Sequence, residues 1–187
     1  MLKHEARKVF LQKRNLLSSK ELVDISSIIH ENFRTFLTDQ INAVHVYLPI
    51  KAKKEIDTWP IIKYLWAKGR KVAVPVVAGQ ENKLYSYELT EETNLVDNKW
   101  KVPEPADGKK IDNNSIDLVL VPLLSIDQQG YRVGYGKGYY DTFLKTLEPN
   151  VLKVGLSHFP PIDKISNIDP RDVPMDYCIT PGEIIRF

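Results

Sequence analysis

The chain has 187 residues, with 26 Lys and Arg against 24 Asp and Glu, a net charge of +2, and one cysteine, Cys178. That length suits one domain with a real core, expected to span residues 1–187. The balanced charge excludes a strongly basic nucleic-acid binder, and the lone cysteine excludes an intrachain disulfide framework.

Residues 2–17 read as an amphipathic helix, with Leu2, Ala6, Val9, Phe10, Leu16 and Leu17 on one face. Lys3, Arg7 and Arg14 fall together on a neighbouring face, because steps of four and seven residues nearly close whole turns. A basic stripe of this kind reads on its own as a solvated face. Ser18 and Glu21 form a capping box that opens a second helix to about Leu37. Ala43 to Leu48 reads as a buried strand ended by Pro49. Thr58 then caps a helix with Pro60 in its first turn and Gly69 at its end. Further strands are expected at Lys71–Pro75, Lys83–Leu89, Ile116–Val121, Leu152–Leu156, Tyr177–Thr180 and Glu183–Phe187, with a short helix over Tyr139–Leu147. Strands alternating with helices predict an α/β fold, a mostly parallel sheet flanked by helices in an open Rossmann-like arrangement. Nothing approaches the roughly 20 apolar residues of a membrane span. The charged N-terminus is not followed by an apolar run, so no signal peptide is expected and the reading is a cytoplasmic monomer.

Ligands in such folds bind beyond the carboxyl ends of strands, which points to the loop after Val121. It runs from Asp127 to Asp141 and holds Gly130, Gly134, Gly136 and Gly138 with Arg132 and Lys137. Glycines let backbone approach a ligand, the two cations attract phosphate, and Asp141 offers oxygen to Mg²⁺. The spacing is neither that of a P-loop nor that of a dinucleotide-binding turn. A phosphate cradle and a packed strand-to-helix turn with buried tyrosines both fit it. Elsewhere, His4, His30, His45 and His158 lack metal-site spacing, and Cys178 reads as a small core residue.

The string Arg132-Val-Gly-Tyr-Gly-Lys-Gly-Tyr-Tyr-Asp141, coming after Val121-Pro122 and Asp127-x-x-Gly130, resembles the signature of the 5-formyltetrahydrofolate cyclo-ligase family. So do Lys3-x-x-x-Arg7, Tyr47-Leu-Pro49 with Glu55 to Thr58, Pro103-Glu104-Pro105, and Asp172 to Asp176 with Ile179-Thr180. Thr142 stands where the family often has Arg, Ile126 replaces a common aromatic, and Ser157–Pro161 departs from the usual Glu/Gln-bearing segment.

The resemblance implies a fold like that of isomerases and CoA-transferases, and an ATP- and Mg²⁺-dependent ring closure on a reduced folate. It implies nucleotide contacts from Lys3, Arg7, Arg132, Gly134, Gly136, Lys137, Gly138, Tyr139 and Tyr140. Arg132 and Lys137 would serve the phosphoryl transfer. Folate contacts are implied from Ile50, Glu55, Tyr135, Gly136, Lys137, Gly138 and Tyr139, and metal contacts from Asp141 and Asp172. No nucleic acid or membrane partner is implied. The resemblance assigns nothing to Lys8, Lys13 or Arg14. A binding module on the same scaffold, or an isomerase or transferase that needs no ATP, are the other classes the sequence leaves open.

Overall fold

The run Leu118 to Val121 shows how the sheet is built. Leu118 and Leu120 belong to one apolar cluster and Val119 and Val121 to another, all four fully buried, because successive strand side chains point to opposite faces. A strand that is apolar on both faces needs cover on both. The computed structural model, which describes residues 1–78, 83–98 and 101–187, provides that cover.

In chain order the elements are α1 (Lys3–Leu16), α2 (Ser19–Phe36), β1 (Ala43–His45), α3 (Trp59–Ala67), β2 (Lys71–Ala78), β3 (Lys83–Glu88), β4 (Leu95–Asp97) and β5 (Pro103–Pro105). They continue with β6 (Leu118–Pro122), β7 (Ser125–Ile126), β8 (Arg132–Val133), α4 (Tyr139–Leu144), β9 (Leu152–Leu156), β10 (Tyr177–Ile179) and β11 (Ile184–Arg186). Seven strands form one sheet in the order β11-β10-β9-β6-β1-β2-β3. The five inner strands are parallel, and the two edges are antiparallel. Ile29 and Phe33 of α2 and Ile61, Ile62 and Leu65 of α3 cover one face, and Phe143 and Leu144 of α4 cover the other. The expected α/β class with a mostly parallel sheet is what the chain adopts.

Several elements differ from expectation for local reasons. β1 ends at His45, although Val46 still donates to the Ala73 carbonyl at 2.8 Å before the chain turns away toward Pro49. Thr58 has helical backbone angles and is fully buried; its hydroxyl donates to the Tyr47 carbonyl at 2.7 Å, and Asp57 Oδ1 accepts from Trp59 N instead. α4 stops at Leu144 rather than Leu147, ahead of Pro149, which keeps Glu148 out of helical geometry. The β4–β5 and β7–β8 hairpins were not legible in the sequence.

β1 lies between β2 and β6, so the connections from these strands diverge and leave a crevice beyond their carboxyl ends. The loop after β6 is anchored there by Asp127, which is fully buried. Its Oδ1 accepts from Gln129 N and Tyr131 N at 3.0 and 2.9 Å, and its Oδ2 accepts from Ile165 N at 2.9 Å. Gly130 turns that loop at φ +82°, where an added Cβ would stand 2.7 Å from the Met175 carbonyl oxygen. The Asp127-x-x-Gly130 pattern is therefore a turn that aims the glycine-rich segment 134–138.

His45 on β1 is fully buried, stacks on Phe143 at 4.7 Å between ring centroids, and has no partner on either ring nitrogen. Burial pushes its imidazole down from 6.5 to about 3. The unfolded chain therefore takes up this proton first as pH falls, so stability is full above pH 6.5 and is lost toward pH 3. Urea midpoints of His45→Leu should fall less between pH 6.5 and 4 than those of the parent protein; parallel curves would contradict this.

Candidate active site

α1 is strapped across the carboxyl ends of the strands. At its start, Lys3 N donates to Asn167 Oδ1 at 2.7 Å, and Met1 donates its charged amine to the Lys164 carbonyl at 2.8 Å. Ala6 and Phe10 pack on Leu124, Val133 and Ile165, with the Phe159 ring edge-on to Phe10 at 5.5 Å. At its end, Lys54 Nζ donates to the Asn15 and Leu17 carbonyls, a cation on the negative pole of the helix.

Three basic residues of α1 reach three different segments. Lys3 Nζ pairs with Asp172 Oδ2. Arg7 Nε donates to the Gly134 carbonyl at 3.0 Å, and its guanidinium lies against Gly136, where an added Cβ would come within 3.1 Å of Nη2. Gly136 has φ +86°, so glycine answers both the backbone angle and the close approach. Arg14 is 1% exposed. Its Nη2 donates to the Leu123 carbonyl at 2.6 Å, and its Nη1 to the Tyr135 hydroxyl at 3.0 Å and the Lys53 carbonyl at 3.5 Å.

The glycine loop carries a second knot. Arg132 Nη2 donates to Asp141 Oδ1 at 2.7 Å, Nη1 donates to the Val173 carbonyl at 2.5 Å, and Val173 N donates back to the same Asp141 oxygen at 3.2 Å. Asp141 and the Asp172–Val173 pair thus share one corner. The Arg132 side chain is only 7% exposed, so it braces the loop rather than standing in solvent. Lys137 is exposed and makes no hydrogen bond or ion pair among the described residues.

Across the crevice, Glu55 Oε2 accepts from Ile50 N at 2.8 Å and Oε1 accepts from the Tyr135 hydroxyl at 2.7 Å. Burial pushes the Glu55 carboxyl up, and the two hydrogen bonds with the charges of Arg14 and Lys53 pull it back. Lys53 Nζ sits 4.0 Å over the Tyr135 ring. His158, nearly buried after β9, is held neutral by burial and by the Arg14 charge, down to about 3.

The structure therefore brings Lys3, Arg7, Gly134, Gly136, Arg132, Asp141 and Asp172 together, and Ile50, Glu55 and Tyr135 together. Gly138, at φ +73°, precedes the first residue of α4. Tyr139 packs on the apolar cluster of that face, and Tyr140 bridges both clusters with its hydroxyl buried and unpartnered. Tyr140 is thus packed in the core, one of the two roles the sequence leaves open for it. Arg14 is the residue sequence reasoning passed over. Its signal was present: Ala6, Phe10 and Arg14 stand at steps of four, so Arg14 continues the buried stripe. Among the described residues no group of three His, Cys, Asp or Glu side chains is poised to hold a metal unaided.

The family model for the 5-formyltetrahydrofolate cyclo-ligase family matches residues 2–181. A 5-formyltetrahydrofolate cyclo-ligase of Mycoplasma pneumoniae is 30% identical over 182 residues, covering 96% of this chain and 98% of that protein. A probable 5-formyltetrahydrofolate cyclo-ligase of Schizosaccharomyces pombe is 32% identical over 149 residues, 72% of each chain. The solved structure of 5,10-methenyltetrahydrofolate synthetase from Aquifex aeolicus is similar at a TM-score of 0.78 and 31% identity, covering 100% of this chain and 93% of that one. With sequence and fold matched along nearly its whole length, this chain belongs to the 5-formyltetrahydrofolate cyclo-ligase family.

Proposed function

We propose that this protein converts 5-formyltetrahydrofolate and ATP to 5,10-methenyltetrahydrofolate, ADP and phosphate. The observation that carries the reading is that α1 joins a cationic glycine loop to a part-buried carboxylate across one crevice, in a chain of this family. An amide oxygen is a poor leaving group. When the formyl oxygen attacks the γ-phosphorus, an O–P bond forms and the bond to ADP breaks. N10 of the same folate then attacks the activated carbon and gives up its proton, and the C–O bond breaks to release phosphate. Such chemistry asks mainly for positioning and charge neutralisation.

In this reading Lys137, free of partners among the described residues, meets the transferring phosphate, while Arg7 and the Gly134–Gly138 backbone line the nucleotide. Arg132 and Lys3 stand paired with Asp141 and Asp172, so they serve phosphate as members of two charge pairs. Glu55 accepts N–H groups of the pterin. Each of its oxygens now takes one hydrogen bond and has a further lone pair to offer. Ile50 and Tyr139 supply apolar contact.

Asp141 and Asp172 fit a magnesium ion shared with phosphates: hydrogen bonds engage only Oδ1 of Asp141 and Oδ2 of Asp172, leaving a hard oxygen on each. Bound there, Mg²⁺ would neutralise phosphate charge. The unpaired, buried Cys178 suits the reducing cytoplasm, where we place the enzyme.

Incubation with 5-formyltetrahydrofolate and MgATP should give the near-ultraviolet absorbance of the methenyl product, and none with ATP omitted. Lys137→Ala should lose on the order of a hundredfold in kcat/KM with an unchanged circular dichroism spectrum. Unchanged turnover would remove Lys137 from this role. EDTA should abolish the rise and added Mg²⁺ restore it; full activity in EDTA would remove the metal roles of Asp141 and Asp172.

A further inference from the structure

Arg14 is a charge set in a core. It is 1% exposed, and among the described residues no carboxylate pairs with it directly. A buried guanidinium that lacks a counter-charge is costly unless its donors are filled; Nη1 and Nη2 of Arg14 find acceptors, while its Nε has none among the described residues. Two of its acceptors are backbone carbonyls, Leu123 at the end of β6 and Lys53 in the loop after β1, one on each side of the crevice. Its third acceptor is the Tyr135 hydroxyl, which spends its own proton on Glu55 Oε1 at 2.7 Å.

We propose that Arg14 and Tyr135 form a relay that keeps Glu55 ionised and fixed in place for the folate, so that Arg14 is a positioning residue for the reaction. The inference rests on the proposed folate role of Glu55 and goes beyond it. The hydroxyl can donate to only one acceptor, and Arg14, a donor only, cannot receive its proton. The phenol proton is thereby directed at Glu55. The groups facing Glu55 are Arg14 from α1, Lys53 from its own loop, Tyr135 from the glycine loop, Tyr47 from the end of β1 and Tyr140 from α4. Burial raises the Glu55 carboxyl; the Ile50 N–H lowers it most, followed by Tyr135, Arg14 and Lys53. Lys53 is exposed and its ammonium rests on the Tyr135 ring, so solvent screens it more than Arg14. The same helix carries Lys3 and Arg7 to the phosphate side. Seating α1 therefore sets both halves of the site at once.

The test tracks the Glu55 carboxyl directly, by NMR of ¹³C-labelled glutamate in the ligand-free protein, with Glu55→Gln to assign the signal. Tyr135→Phe keeps both carbonyl contacts of Arg14 and cuts only the relay. It should move the Glu55 midpoint up by about one pH unit, and raise the folate KM roughly tenfold with the ATP KM close to that of the parent. Arg14→Met should move the midpoint in the same direction. Arg14→Lys, which keeps the charge but not the planar fork, should hold the midpoint near the parent value while the folate KM rises. A Tyr135→Phe protein with an unmoved Glu55 midpoint and an unmoved folate KM would overturn the relay and leave Arg14 a structural brace. If the midpoint moves but the parent enzyme does not turn over 5-formyltetrahydrofolate, the relay stands and the proposed substrate falls.

Discussion

A guanidinium withdrawn from water needs acceptors where it stands, and those of Arg14 Nη1 and Nη2 fix where α1 can lie. Its acceptors belong to the end of β6, the loop after β1 and the glycine loop. Sliding α1 by one residue would turn Arg14 about 100° away from all three. The same shift would take Arg7 from the Gly134 carbonyl and Lys3 from Asp172. One buried residue thus registers three basic side chains against three loops that the sheet alone would leave independent.

The sheet supplies the other half of the constraint. Its order places β1 between β2 and β6, so the crevice opens where the connections diverge, and the segments carrying Glu55, the glycines and Asp172 follow the carboxyl ends of β1, β6 and β9. The charge pairs around it differ in bonding. Lys3–Asp172, with side chains 20% and 16% exposed, joins a point-charge ammonium to one carboxylate oxygen. Arg132–Asp141, at 7% and 30% exposed, is tied further by the Arg132 bond to the Val173 carbonyl and the Val173 N–H bond to Asp141. The second pair, bonded to Val173 from both sides, holds the loop still.

Much of this was readable in the chain. Apolar runs such as that from Leu118 to Val121 specify their strands by burial on both faces, and the Ser18–Glu21 box marks its helix by local hydrogen bonds. What was not readable depends on distant partners. Tyr135 and Glu55 are 80 residues apart, and nothing near either announces the bond. The two-residue strands β7 and β8 exist because Asp127 folds the loop between them onto Ile165. Arg14 was misread because charge outweighed spacing, and Leu16, expected on the buried face, is 85% exposed where α1 runs past the body of the fold. The cyclo-ligase motifs were legible as a string, but their division between ligand contact and scaffold was not. Asp127 and Gly130 build the turn and Arg132 braces it, while Lys137 stands free among the described residues.

In the proposed reading, nucleotide and folate occupy opposite walls of one crevice spanned by α1. Hydrogen–deuterium exchange resolved by peptide, with ATP alone and then with 5-formyltetrahydrofolate alone, tests it most directly. ATP should slow exchange in residues 3–7, 132–138 and 172–173, and the folate should slow it in residues 50–55. Protection by ATP confined to the cleft between α3 and β4, around Trp59, Trp66 and Leu95, with the glycine loop unchanged, would contradict it.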